Sequence, residues 1–459
     1  MKNNTDFLIG IFIMSMLFLS GCKVGPNYTQ PETNAPESYQ LKYTSDTTIA
    51  NMPWWELFRD TVLQEIIKTT LANNRDLKVA YLRIQESGLQ MDIVRSNLYP
   101  RIDYSASGSA AATSDGSISN FNPSVGLSYE IDLWGKWKRS NEAAFQAYLS
   151  TEEAYRSVMI GLIAEVANNY LLLRDLDNRI LISEKMAETW EKNLEIVISR
   201  HKAGLVSGVN LDQAEIQLHE ALVSIRVNER LRAVTENSIS VLMGTPPGNI
   251  PRGTTLESQV FPPDIPVGLP SELLSRRPDI LQAERELRAQ SERIGIAEAL
   301  KYPSLTLSLD LGATFEPSSL GFASLGAQLF GPLLNLKANQ KRVEIEKNRT
   351  EQVLNNYEQK FLLAMEEVEN AMVSAQKFQQ EYELRNQQMQ SADSALKLSW
   401  IRYESGLVEY LEILDLQRSQ FRSYIEASKS RQLQLTSTVT LYKALGGGWV
   451  PEQDSLTVR

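Results

Sequence analysis

The sequence predicts an α+β membrane protein built from two copies of one unit, each copy carrying a pair of bilayer-length strands and a very long helical hairpin. Three observations lead there. Tyr99-Pro100 and Tyr302-Pro303 repeat at a spacing of 203 residues, and other features recur near that spacing. Each Tyr-Pro step opens runs in which apolar and polar residues alternate, the period of a strand with two unlike faces. Residues 137–203 and 337–405 both run without a proline, room for helices of about 100 Å at 1.5 Å per residue.

The chain opens with Lys2 and the apolar stretch "FLIGIFIMSMLFL" at residues 7–19. That is short of the roughly 20 residues a spanning helix needs, and it fits the apolar region of a secretory signal, residues 1–21. The chain's single cysteine, Cys22, closes "LSGC", which resembles a bacterial lipobox. The resemblance implies cleavage before Cys22, lipidation of its thiol and a lipid-anchored extended segment over 22–60. Several acyl chains, at about 0.8 kcal/mol per buried methylene, hold firmly. In the lipoprotein sorting pattern an Asp after the cysteine retains a protein at the inner membrane; Lys23 stands there instead, which points to the outer membrane.

A first repeat over 61–244 and a second over 271–445 are joined by the Pro- and Gly-rich segment 245–270 and followed by a tail, 446–459. Asp76 and Ala80 in "RDLKVA" match Asp279 and Ala283 in "PDILQA", and "RHKAGLV" at 200–206 matches "RYESGLV" at 402–408. Strands are expected near 100–134 and 302–334. Ile102, Tyr104 and Ala106 alternate with Asp103, Ser105 and Ser107, and Val125 through Leu133 alternate with Ser124 through Asp132. Leu305, Leu307, Leu309 and Leu311 alternate with Thr306, Ser308 and Asp310, and a weaker run covers Leu325 to Leu329. Runs of about 9–11 residues suit tilted membrane strands. Soluble hairpins give the same alternation; the signal and lipobox ahead of them tip the reading to a membrane. Four strands cannot close a barrel, and open edges are not tolerated in lipid, so two or more chains must combine.

The long helices should pack as coiled coils. Leu354, Tyr357, Phe361, Ala364, Val368, Ala371, Ala375, Phe378 and Tyr382 keep a strict 3–4 spacing, while "VMIGLIAEVANNYLLL" at 158–173 is apolar over a wider arc. Gly204 with Gly208, and Gly406, mark the turns into returning helices over 210–243 and 410–444. A membrane barrel continued by helical hairpins describes a conduit.

Other classes are disfavoured. A formal net charge of −10 argues against nucleic acid, which needs clustered cations. One cysteine and two histidines provide neither a disulfide framework nor a Cys/His metal site within one protomer. His201 and His219 read as surface polar residues, and "WGKWK" at 134–138 lacks the frame of a phosphate loop. No catalytic cluster or cofactor motif stands out, so no enzyme is expected. Trp134 and Trp137 sit where strand gives way to helix, a position suited to a membrane interface.

The chain resembles the TolC-like outer membrane factor family, in its lipoprotein efflux branch. The residues that carry the resemblance are "LSGCKVGPNY" (19–28), "WWELFRDTVLQEIIKTTLANNRDL" (54–77), "YEIDLWGK" (129–136), "RRPDILQAERELRAQSERIGIAEALKYPSLTLS" (276–308), "GLVEYLEILDLQRSQF" (406–421) and "LYKALGGGW" (441–449). It implies a homotrimer in the outer membrane of a Gram-negative bacterium, with a 12-stranded barrel, four strands per chain, continued by a helical tunnel across the periplasm. A periplasmic adaptor and an inner-membrane pump would be the partners. The periplasmic entrance would close at Leu411 and Asp415, one helical turn apart and so on one face; threefold symmetry makes each a ring, one apolar and one of carboxylates. Gln213 stands opposite Asp415 in the first repeat, so only one repeat offers the acid. Arg418 and Glu412 are candidates to support the gate. The turns Gly204, Leu205, Val206 and Gly406, Leu407, Val408 are candidates for adaptor contact, and read equally as plain Gly helix caps. The function implied is a passive exit duct for drugs or other small solutes. The alternatives are the duct of a type I-like protein secretion system and a lipid-anchored coiled-coil scaffold without a pore, which would have no use for the alternating strands.

Overall fold

The computed structural model describes residues 23–32, 36, 38–40, 52–113, 116–260, 268, 270–315, 319–332 and 336–447. The expected signal sequence, Cys22 and the tail from 448 onward lie outside the described residues. The first repeat runs α1 (Thr61–Asn73), α2 (Arg75–Ser96), β1 (Arg101–Thr113), β2 (Gly116–Ile131), α3 (Lys136–Lys202) and α4 (Gly208–Leu242). The second runs α5 (Pro278–Ala299), β3 (Ser304–Phe315), β4 (Ser319–Phe330), α6 (Leu336–Glu404) and α7 (Tyr410–Ala444). The duplication holds in length: α2 and α5 have 22 residues each, α3 and α6 have 67 and 69, and α4 and α7 have 35 each. Asp76 and Asp279 both fall in the first turn of their helices, where a carboxylate meets the positive end of the helix dipole.

The Tyr-Pro steps stand a few residues beyond the helix ends rather than at them. α2 and α5 close at Ser96 and Ala299, and tightened turns then carry the chain on, with Tyr99 N donating to the Ser96 carbonyl and Tyr302 N to that of Ala299, each at 3.1 Å. Proline, with no N–H to give, ends these turns and biases its predecessor toward the extended strand that follows.

The four strands form one antiparallel sheet in the order β1-β2-β3-β4. Its register aligns the alternation across all four. Ile102, Val125 with Leu127, Leu309 with Leu311, and Leu325 share one face; Ser105, Ser124, Asp310 and Ser324 share the other. One expectation needs correction. Asp132 leaves the strand and accepts from the backbone N–H of Trp137 and Lys138 at 3.2 and 2.9 Å, opening α3. On β4 Phe322 also breaks the alternation, lying on the polar face over Gly312, where an added Cβ would come within 2.6 Å of its ring. No described helix is long and apolar enough to cross a membrane.

The chain divides into two compact units. The first holds the sheet, residues 81–154 and 279–360, and the N-terminal segment. Here Arg139, fully buried in the first turns of α3, holds that segment: its Nε donates to the Val24 carbonyl at 2.7 Å, Nη2 to that of Gly25 at 3.0 Å, and Nη1 to Glu292 at 2.7 Å. Lys23 pairs with the same Glu292 at 3.3 Å. Gly295 inside α5 makes room, since a Cβ there would lie 2.1 Å from Arg139 Cδ. Trp134 stacks on Tyr302 at 4.6 Å and donates to the Pro303 carbonyl at 2.7 Å, tying the β2–α3 junction to the start of β3.

The second unit comprises residues 35–80, 155–278 and 361–459. The expected seam on α6 is present here: Phe361 through Ala375 are buried at the 3–4 positions, with Phe378 and Tyr382 half-buried; its earlier residues in the first unit, Tyr357 buried and Leu354 half-buried, follow the same spacing. The wider arc of α3 is also covered, Val166, Ala167, Tyr170, Leu171 and Leu173 all having no exposed surface. Asp60 is the polar hub of this unit. It caps α1 through Val62 N and Leu63 N, and accepts from Tyr170 Oη, Gln259 Nε2, and the backbone N–H and hydroxyl of Thr254. Burial opposes its charge, but the hydrogen bonds from Gln259, Thr254, Leu63 and Val62 outweigh it and hold the carboxyl below its usual value.

Asp60→Ala strands these buried donors, each an orphan costing about 1–3 kcal/mol, and should lower the thermal midpoint of the detergent-solubilised protein by several degrees. Because the native carboxyl titrates lower than the unfolded one, its stabilisation is present above about pH 4 and fades as pH falls through the native value; wild type and Asp60→Asn should therefore converge in stability in acid. Arg139→Leu leaves buried Glu292 with only the part-exposed Lys23 as partner and strands the Val24 and Gly25 carbonyls, a loss of about 1–3 kcal/mol for each orphaned group. Limited proteolysis should then cut residues 23–32 faster than in wild type.

Candidate functional site

The sequence places its candidate residues at the hairpin turns of the second unit. Both long helices end in the same cap. Gly204 and Gly406 take φ of +70° and +72°, which only glycine adopts cheaply. Leu205 N returns to the Arg200 carbonyl and Leu407 N to that of Arg402, each at 2.9 Å, the six-to-one bond of a Schellman turn. Leu205 and Leu407 are thereby thrown outward, 74% and 70% exposed, while Val206 and Val408 are half-buried. Gly208 is not part of the turn; it opens α4. His201 Nδ1 donates across the turn to the Val206 carbonyl at 3.0 Å.

Beneath the turns Val197, Ala214, Leu396, Tyr410, Ile413 and Leu414 form a buried cluster that unites α3, α4, α6 and α7. This cluster orients the start of α7. With Ile413, Leu414 and Gln417 inward, Leu411 and Asp415 must point outward together, and both are exposed. Asp415 makes no ion pair or hydrogen bond among the described residues, and Arg418, half-buried and three residues on, is not bonded to it. Glu412 belongs to a different contact: it accepts from Ser399 Oγ at 2.6 Å and pairs with Arg402 at 3.6 Å, joining α7 to α6. Gln213, the first-repeat counterpart of Asp415, is half-buried. One turn further along, Gln217 Nε2 donates to Gln417 Oε1 at 3.1 Å, a buried bond between α4 and α7.

One contact here has no sequence signature. Arg200, at the end of α3, hydrogen-bonds the Tyr403 hydroxyl near the end of α6, and its guanidinium lies 5.4 Å from the centre of that ring. Tyr403 stands 5.7 Å from both Trp400 and Tyr410. Burial and the neighbouring Tyr403 push the Tyr410 hydroxyl up to about 12, and that hydroxyl has no partner among the described residues. Arg200 and Tyr403 thus cross-tie the two hairpins through an exposed bond. His219 lies apart, on an outward face of α4 with Leu222, Val223, Arg226, Val227 and Arg230. Among the described residues no three His, Cys, Asp or Glu side chains gather to hold a metal ion. The arrangement offers an outward apolar side chain, an outward acid one turn on, and a bond between the two hairpins.

Known proteins agree with this architecture. The model of the outer membrane efflux protein family matches twice, over residues 66–245 and 269–447, once per repeat. The toluene efflux pump outer membrane protein TtgC of Pseudomonas putida is 32% identical, with 97% of this chain and 96% of that protein covered. The cation efflux system protein CusC of Escherichia coli K12 is 30% identical over 94% of this chain and 97% of its own length, and the probable outer membrane lipoprotein SilC of Salmonella typhimurium is 30% identical over 95% and 98%. Crystal structures of CusC superpose with a TM-score of 0.85, at 28% identity, over 93% of this chain and all of that one. The open state of the MtrE outer membrane channel of Neisseria gonorrhoeae gives 0.86, at 28% identity, over 93% and 98%. Two family matches on a duplicated chain, relatives aligned end to end and channel structures of the same fold converge: the chain belongs to the outer membrane efflux protein family.

Proposed function

We propose that three copies of this chain close a 12-stranded barrel in the outer membrane and serve as the passive exit duct of a tripartite efflux system, receiving drugs or other small solutes from an inner-membrane pump through a periplasmic adaptor. The observation that carries this reading is the sheet: one face apolar and the other polar across β1, β2 and β3, the pattern weakened on β4 by Leu320, Phe322 and Phe330 on the polar side, and two edges left open. A membrane barrel needs the first two properties, and only association with further copies satisfies the third. Relatives named for toluene efflux and for cation efflux support the same role.

In this reading Cys22 carries the lipid anchor. Leu411 and Asp415 form the periplasmic gate, Leu411 closing it by excluding water and Asp415 adding a ring of carboxylates. The Arg200–Tyr403 bond belongs to the closed state. Glu412 supports the gate indirectly, by fixing the first turn of α7 against α6. Leu205, Val206, Leu407 and Val408, with Gly204 and Gly406, present the surface for the adaptor.

The purified protein should sediment as a trimer, enrich in the outer-membrane fraction and conduct in planar bilayers; a monomer that never conducts would end the proposal. Asp415→Ala should raise single-channel conductance and the uptake of a large antibiotic several-fold, and no change in either would remove Asp415 from the gate. Tyr403→Phe keeps the ring but loses the bond to Arg200. At about 1 kcal/mol for such a hydrogen bond, the open fraction in single-channel records should rise roughly five-fold.

A further inference from the structure

The polar face of the sheet carries few charges, and they are not equivalent. Arg101 and Asp103 neutralise one another at 2.7 Å. Glu130 is paired with Lys136 at 2.5 Å. Asp310, at the middle of β3, has neither an ion pair nor a hydrogen bond among the described residues. Its register neighbours are Gly126 on β2 and Ser324 on β4, and the next residue across, on β1, is the already neutralised Asp103. The carboxylate lies over Gly126, where an added Cβ would come within 2.7 Å of Asp310 Oδ1. Along its own strand stand Ser308 and Gly312. Gly126, Ser308, Gly312 and Ser324 give the half-buried carboxylate no countercharge, and the Phe322 ring stands beside it over Gly312.

We propose that Asp310 is the charge filter of the barrel. It contributes one uncompensated negative charge per chain at a single level of the pore, and so favours small cations and cationic solutes over anions. This rests on the barrel reading given above, in which the polar face lines the lumen. A pore charge acts across the distance that salt leaves unscreened, about 30 Å at 10 mM and about 3 Å at 1 M. The preference should therefore be a low-salt property that collapses in concentrated salt. Gly126 has a positioning part, keeping the space into which the carboxylate lies.

The test is the reversal potential in planar bilayers under a potassium chloride gradient near 10 mM, made in the Asp415→Ala background so that the gate carboxylates contribute nothing. The parent should favour potassium. Asp310→Asn should reduce the potassium-to-chloride permeability ratio by roughly two- to five-fold, and Asp310→Lys should turn the preference toward chloride, both effects vanishing near 1 M. Asp310→Asn is close in shape to the native residue, so it also serves if the lysine variant fails to assemble. Channels that conduct with a ratio unchanged by Asp310→Asn overturn the filter and leave the duct intact. Protein that assembles and never conducts overturns the duct itself.

Discussion

An unpaired strand edge cannot rest in hydrocarbon. On the outer edges of β1 and β4 every second residue turns its N–H and C=O away from the sheet. Each such group left unsatisfied in a bilayer costs several kcal/mol. The apolar face of the sheet makes the bilayer its natural solvent, and the two edges make it an impossible one for a single copy. The duplication answers this economically. β1 with β2 and β3 with β4 are copies of one hairpin, so a junction between β4 of one chain and β1 of the next can reuse the antiparallel geometry already present between β2 and β3. In the assembly proposed above, the inner and outer seams of the barrel are variants of a single pairing.

Water-exposed parts of the chain are held by different means. The helices bury a narrow seam rich in alanine, at Ala364, Ala371 and Ala375, which lets backbones approach closely. The non-repetitive segments are fixed by single charged residues with many partners, Asp60 for the linker after α4 and Arg139 for the N-terminal segment. Each charge is surrounded by donors or acceptors from several elements. Their removal is costly because the partners stay behind, buried and unpaired.

Much of this was legible in the sequence because it is written in short-range spacings. Alternation gave the sheet faces, 3–4 periodicity gave the seam on α6, and glycine gave the helix caps at 204 and 406. The strand ends were blurred where side chains break the pattern for local reasons, as Asp132 does by capping a helix and Phe322 by filling the space over Gly312. The contacts that join distant elements were illegible. Arg139 meets Glu292 from 153 residues away and Arg200 meets Tyr403 from 203, and no local pattern marks either pair. A faint signal existed for the first: Gly295 sits inside α5, where glycine is unfavourable unless something must come close. Leu411 and Asp415 share the outward face that helical spacing predicts, whereas Glu412 turned out to serve the joint between α6 and α7.

The seat of the N-terminal segment also imposes an order of events. Residues 23–25 precede all of their partners along the chain, Trp134 and Arg139 from the first repeat and Glu292 from the second. The seat does not exist until most of the chain has been delivered across the inner membrane. Until then residues 23–25 have no seat to bind. Docking of this strap therefore reports that residues of both repeats have come together.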